Sequence, residues 1–162
     1  MCDYSLGGLA SRLAVDGEEL IVHRFTTNSI GLASPADLQR ETREERQQDQ
    51  SLWYRIKSIF AAASDCSSVR AVCVPPGARL VLKNIPFDLR CKWSVDADES
   101  VFFVQTSAEV NTYRDAVYFR TGRQVLLQEL REGMQVTVVS LSGDFSGEPK
   151  PAFAVPSGWP VP

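Results

Sequence analysis

Four cysteines and a single histidine hold most of the reactive chemistry in this 162-residue sequence. Removal of Met1 would expose Cys2 as an N-terminal residue, its thiol beside an α-amine of pKa about 7.7–8.0 that could act as its base. That arrangement serves N-terminal nucleophile hydrolases, and Cys2 is the only catalytic candidate. No oxyanion-hole motif or second catalytic group accompanies it. A hydrolase or amidotransferase-like enzyme is therefore a secondary expectation. A pair of Cys73 with His23 is weaker, because strand alternation places both at positions that read as core-facing. A thiol buried among apolar groups is inert.

Metal chemistry finds no support in the spacing. Zinc sites pair ligands two to four residues apart, whereas Cys66 and Cys73 are separated by six residues and Cys91 stands far off. No metal site and no cofactor are expected, and a thiol-based metal or redox module is a third reading. Arg114 and Asp115 are neighbours in a strand and point to opposite faces, so each reads as a cross-strand ion-pair partner. Gly7-Gly8 lacks the Lys and Ser/Thr of a phosphate-binding loop.

Binding chemistry is better represented. Leu52, Trp53, Ile56, Ile59, Phe60 and Ala63 recur at helical spacing and form one wide apolar stripe. The stripe either packs on the chain's own β scaffold or docks into another protein, and Trp, Phe and Ile at this spacing suit groove anchors. A membrane-surface role is disfavoured, since only Arg55 and Lys57 flank the stripe. The Pro-rich segment from Gly143 to Pro162 carries Phe153 and Trp159, and proline keeps it extended. Trp53, Ile56, Ile59, Phe60, Phe153 and Trp159 are the expected partner-binding residues, with another protein or protein complex as partner.

The elements that would position these residues are mainly β. Glu18–Phe25 alternates as a strand. Thr26–Gly31 reads as a polar loop. Ser34-Pro35-Ala36-Asp37 is a helix start, with Ser34 as cap and Pro35 at the first helical position. Gln39–Ser51 is uniformly polar and must be solvated or disordered, and the stripe from Leu52 to Ala63 is the only long helix expected. Beyond it, Val69–Val74 and Ala78–Lys83 flank Pro75-Pro76-Gly77 and read as a hairpin. Asn84–Trp93 is irregular, with Pro86 against a strand. Ser100–Gln105 is a strand, and Tyr113–Arg120, Gln124–Leu130 and Gln135–Leu141 read as an antiparallel meander.

The fold class expected is a small antiparallel β-barrel or sandwich with one inserted α-helix and an extended Pro-rich C-terminal tail. A single β domain spans 1–142, with the helical insertion at about 35–64, and the tail spans 143–162. Apolar residues make up 44% and charged residues 23%, enough to bury a core. A net charge of −3 gives no general attraction for phosphate backbones, so nucleic-acid binding is not expected. Neither a signal segment nor a membrane-spanning run is evident, which makes the cytoplasm the expected address with the cysteines as free thiols.

MCDYSL, NSIGLASPAD, AVCV with PPGARLVLKNIPFDL, and YRDAVYFRTGRQVLLQEL resemble a group of short bacterial proteins of unassigned function. The likeness covers the first forty residues and Val69–Leu141. It implies a bacterial, cytoplasmic β domain and carries over no activity. Arg40–Ser68 and the tail stand outside that pattern as an insertion and an extension. The leading expectation is a non-enzymatic interaction domain, an accessory subunit of a larger bacterial assembly.

Overall fold

Alternation of apolar and polar residues sets the strands, and their inner side chains meet in one core. The computed structural model describes residues 8–48, 69–106 and 112–142. Its strands are β1 (Ser11–Leu13), β2 (Glu19–Arg24), β3 (Ile30–Ala33), β4 (Ala71–Cys73), β5 (Arg79–Lys83), β6 (Glu99–Gln105), β7 (Asp115–Phe119), β8 (Gln124–Leu126) and β9 (Gln135–Ser140). Two helices, α1 (Pro35–Gln48) and α2 (Phe87–Trp93), and a single 3-10 turn at Leu127–Glu129 complete the described residues. The strands form one sheet in the order β1-β4-β3-β2-β9-β5-β6-β7-β8. Only β1 and β4 run parallel, so the sheet is mixed, with β1 and β8 at its edges.

Among the described residues no second sheet covers this one, and its apolar face is hidden against itself. Leu20 and Val22 of β2, Leu80 and Leu82 of β5, Phe103 of β6, Phe119 of β7 and Val138 of β9 all belong to one buried cluster. That cluster also holds Val72 of β4 and Val125 of β8, from opposite halves of the sheet. The sheet therefore curls around its core, as the right-handed twist of strands favours. Trp93 packs into the same cluster against Phe119, with ring centroids 5.8 Å apart. A smaller cluster of Phe25, Ala33, Val69 and Ala71 forms on the other face, with Leu38 of α1 against it.

Where β3 begins, Gln128 of the 3-10 turn supplies the pairing. Its side-chain oxygen accepts from Ile30 N at 2.9 Å, and its amide nitrogen donates to Ile30 O at 2.8 Å. One side chain thus reproduces both hydrogen bonds of a strand neighbour.

The β1 edge is treated similarly. Arg12 donates to Leu13 O at 3.1 Å and pairs with the Glu18 carboxylate, which accepts from Val15 N at 3.0 Å. Two outward backbone groups of the edge are thereby occupied, a device that blocks strand addition.

β3 and β4 are antiparallel neighbours through Ala33 opposite Ala71, although residues 34–70 lie between them. α1 opens this excursion. Ser34 Oγ accepts from Ala36 N at 3.3 Å, the capping bond its position suggests. The uniformly polar stretch after Leu38 continues the helix to Gln48, with Gln39, Arg40, Thr42 and Arg43 in solvent.

Several expectations need correction. The mainly β class holds, but the described sheet is mixed and unclosed, with no pairing between β1 and β8. A second helix, α2, occupies the stretch read as irregular. Pro86 precedes its first residue, where a missing N–H costs nothing, and Ser94 ends it in the left-handed conformation at φ 57°. β3 starts inside the predicted 26–31 loop, and β1 was not foreseen.

The Pro75-Pro76-Gly77 connection does not make a hairpin. β4 pairs with β1 and β3, while β5 pairs with β6 and β9. The last three runs are not a meander either, since β9 crosses to lie between β2 and β5. The antiparallel succession is β5-β6-β7-β8.

Candidate functional site

A surface concavity lies beside α2. Asp88 stands in its first turn and Arg90 and Lys92 in its last, matching the helix dipole at both ends. Trp93, 1% exposed, anchors the helix to the core, so the residues beside it are held at the surface. A cleft of about 460 Å³ is lined by Phe87, Arg90, Cys91, Ser94, Val95, Asp96, Glu99 and Thr121. A second recess of about 400 Å³ adjoins it through Ser94 and Thr121, and adds Trp93, Gly122 and Arg123. Volumes of this order suit a small ligand or a few residues of a partner chain.

The β7–β8 turn forms the far wall. Gly122 takes φ +84°, which a side chain would strain, and donates to Phe119 O at 2.9 Å. Thr121 and Arg123 on either side are exposed to the recess.

The lining is chemically mixed. Phe87 is 72% exposed, and the Arg90 guanidinium lies 5.3 Å from its ring centroid. Lys92 pairs with Glu129 and Arg131 with Asp88, but neither Arg90 nor Arg123 has a carboxylate within ion-pair distance among the described residues. Glu99 accepts from Asp96 N at 3.0 Å, which turns that carboxylate toward its own backbone. Arg90 Nε and Trp93 Nε1 are buried with no hydrogen-bond partner. Cys91 is an exposed free thiol.

The residues singled out in the sequence fall elsewhere. Cys2, Cys66, Trp53, Ile56, Ile59, Phe60, Phe153 and Trp159 lie outside the described residues. Cys73 is buried and disulfide-bonded, its partner outside the described residues, which corrects the expectation of free thiols. His23 is half-buried, 4.9 Å from the Phe25 ring, with Nδ1 3.5 Å from Glu132 Oε1. It faces away from the main core, which Leu20 and Val22 enter. With Cys73 in a disulfide, a Cys73–His23 catalytic pair does not exist.

Asp115 is buried and accepts from Gln105 Nε2 at 3.1 Å across the β6–β7 pair, a cross-strand contact with a neutral amide. Among the described residues no three His, Cys, Asp or Glu side chains gather as a metal site. No helix among them is long and apolar enough to cross a membrane.

Sequence reasoning missed the α2 cleft. One local signal was present: Pro86 followed by acidic then basic residues within seven positions, ending at a lone tryptophan. Comparison with known proteins adds no relative, since no family model, curated protein or solved structure matches the chain.

Proposed function

We propose that this chain is a non-enzymatic protein-interaction domain, an accessory subunit of a larger assembly, in which the curled sheet is the scaffold. The observation that carries this reading is the pairing of Ala33 with Ala71. The chain leaves one strand, runs through residues 34–70, and returns to the neighbouring strand, so the sheet presents this segment from a fixed base. The segment holds Trp53, Ile56, Ile59 and Phe60 at helical spacing, the pattern of an anchor stripe. Phe153 and Trp159 in the Pro-rich tail belong to the same proposal, as does a bacterial source inferred from the resemblance. The sheet itself we read as an incomplete barrel, with Gln128 bridging the gap toward β3.

Deleting residues 40–68 tests the reading. The β domain should stay folded and lose its partner in co-purification from the native host, measured against the intact chain. Undiminished co-purification would end the proposal.

A second reading, a thiol-based redox module, is favoured by one observation, the Cys73 disulfide. The same bond opposes the proposed cytoplasmic address, because reducing compartments keep thiols reduced. Denatured, unreduced protein should titrate as two thiols, rising to four after reduction. Ready reduction of the native protein by glutathione supports a redox role. Resistance assigns the bond to structure.

A further inference from the structure

Two buried donors without acceptors, Arg90 Nε and Trp93 Nε1, belong to adjoining walls of the α2 cleft and its recess. A buried N–H without a partner is costly, so such a pair calls for an explanation. Both lack the same thing, an oxygen acceptor. Beside them stand the guanidinium groups of Arg90 and Arg123, which no carboxylate neutralises among the described residues. The hydroxyls of Ser94 and Thr121 line the junction between the two hollows.

We propose that this junction binds a singly charged organic carboxylate attached to an apolar body, as at the C-terminal residue of a peptide. The carboxylate lies toward Arg123 and Thr121, and the apolar body lies toward the exposed ring of Phe87. Charge limits the ligand further. Asp96 and Glu99 border the cleft, and the C-terminal carbonyls of α2 point toward the same end, so a dianion such as phosphate meets repulsion that one carboxylate tolerates. The site goes beyond the interaction reading above, for it uses no residue of 34–70.

Titration of the full chain with N-acetylphenylalanine, followed by the indole N–H signals of ¹⁵N-labelled protein, tests the inference. Loss of one signal in Trp93→Phe identifies Trp93, and sequential assignment serves if that variant does not fold. The acid should move the Trp93 signal. N-acetylphenylalaninamide, which lacks the charge, should bind about tenfold more weakly, the value of one charge-assisted contact. Arg123→Ala should lose a similar factor, and Arg123→Lys should recover part of it. Equal binding of acid and amide, tighter binding of inorganic phosphate, an unmoved Trp93 signal, or an unaltered Arg123→Ala variant would each overturn the proposal. None of these outcomes bears on the co-purification test, so the two proposals fail separately.

Discussion

Glu18 does more at the β1 edge than its charge alone indicates. The hydrogen bond from Arg12 holds its carboxyl below the usual carboxylate range, aided by the bond from Val15 N, while Arg12 is raised in turn by Glu18. A carboxyl whose pKa is lowered by folding contributes stability that is present above its unfolded value, about 4.3, and is lost as pH falls through the folded value. Glu18→Gln should therefore cost about 1–2 kcal/mol at neutral pH, since one charged partner of a half-buried network is removed. Urea unfolding at a series of pH values checks this. The variant should also show less loss of stability than the parent between pH 5 and pH 3. Equal slopes would mean that Glu18 is not the group responsible.

Arg12 and Glu18 were invisible as a pair in the sequence. Six residues apart, they meet only because β1 and the turn before β2 fold back on one another. Asp115 was partly legible, because alternation alone gives its opposite-face relation to Arg114. Its burial depends on which face the sheet conceals, and alternation does not tell that.

Among the elements, the 3-10 turn at Leu127–Glu129 and α2 are the least ordinary. Gln128 stands where a strand would otherwise pair with β3, and Ile30 is 4% exposed. Gln128→Ala leaves a buried N–H and a buried C=O unpaired and should cost about 2–3 kcal/mol. Chemical denaturation measures the loss, and amide exchange should show Ile30 unprotected while Leu80 and Val138 keep their protection. The continuous run from Gln124 to Leu130 looked like one strand because its apolar residues are compatible with either state. What ends β8 at Leu126 is a tertiary contact, namely the amide of Gln128 turned toward a strand about a hundred positions away.

α2 was misread for a different reason. Seven residues are too few for a periodic pattern to declare itself, and a proline reads locally as a mark of irregularity. Yet proline at a helix start is well tolerated, and the charge order along the segment agreed with a helix.

At the scale of the whole molecule, one curled sheet forms the core of the described residues, and Trp93 of α2 packs into that core beside Phe119. Truncating so large a buried side chain leaves a cavity that the surrounding strands cannot collapse into. Trp93→Ala should cost about 3–5 kcal/mol, read as a fall in thermal midpoint, with Trp93→Phe intermediate. A loss below 1 kcal/mol would show that α2 is a superficial addition.

The mainly β class was readable from composition and alternation. The strand order was not, because the crossing of β9 between β2 and β5 is a long-range choice with no local signature. Adjacent runs joined by turn residues look like hairpins whether or not they pair, and Pro75-Pro76-Gly77 shows how an apt turn can join strands that part company.

The closeness of Ala33 to Ala71 also bears on how such a chain could diversify. The ends of the intervening segment are pinned one strand spacing apart, and the entropic penalty for closing a loop rises only with the logarithm of its length. Lengthening, shortening or replacing that stretch should leave the surrounding register undisturbed. Related scaffolds could thus exchange cargo at this seam by recombination, keeping an inherited chassis while altering what it carries.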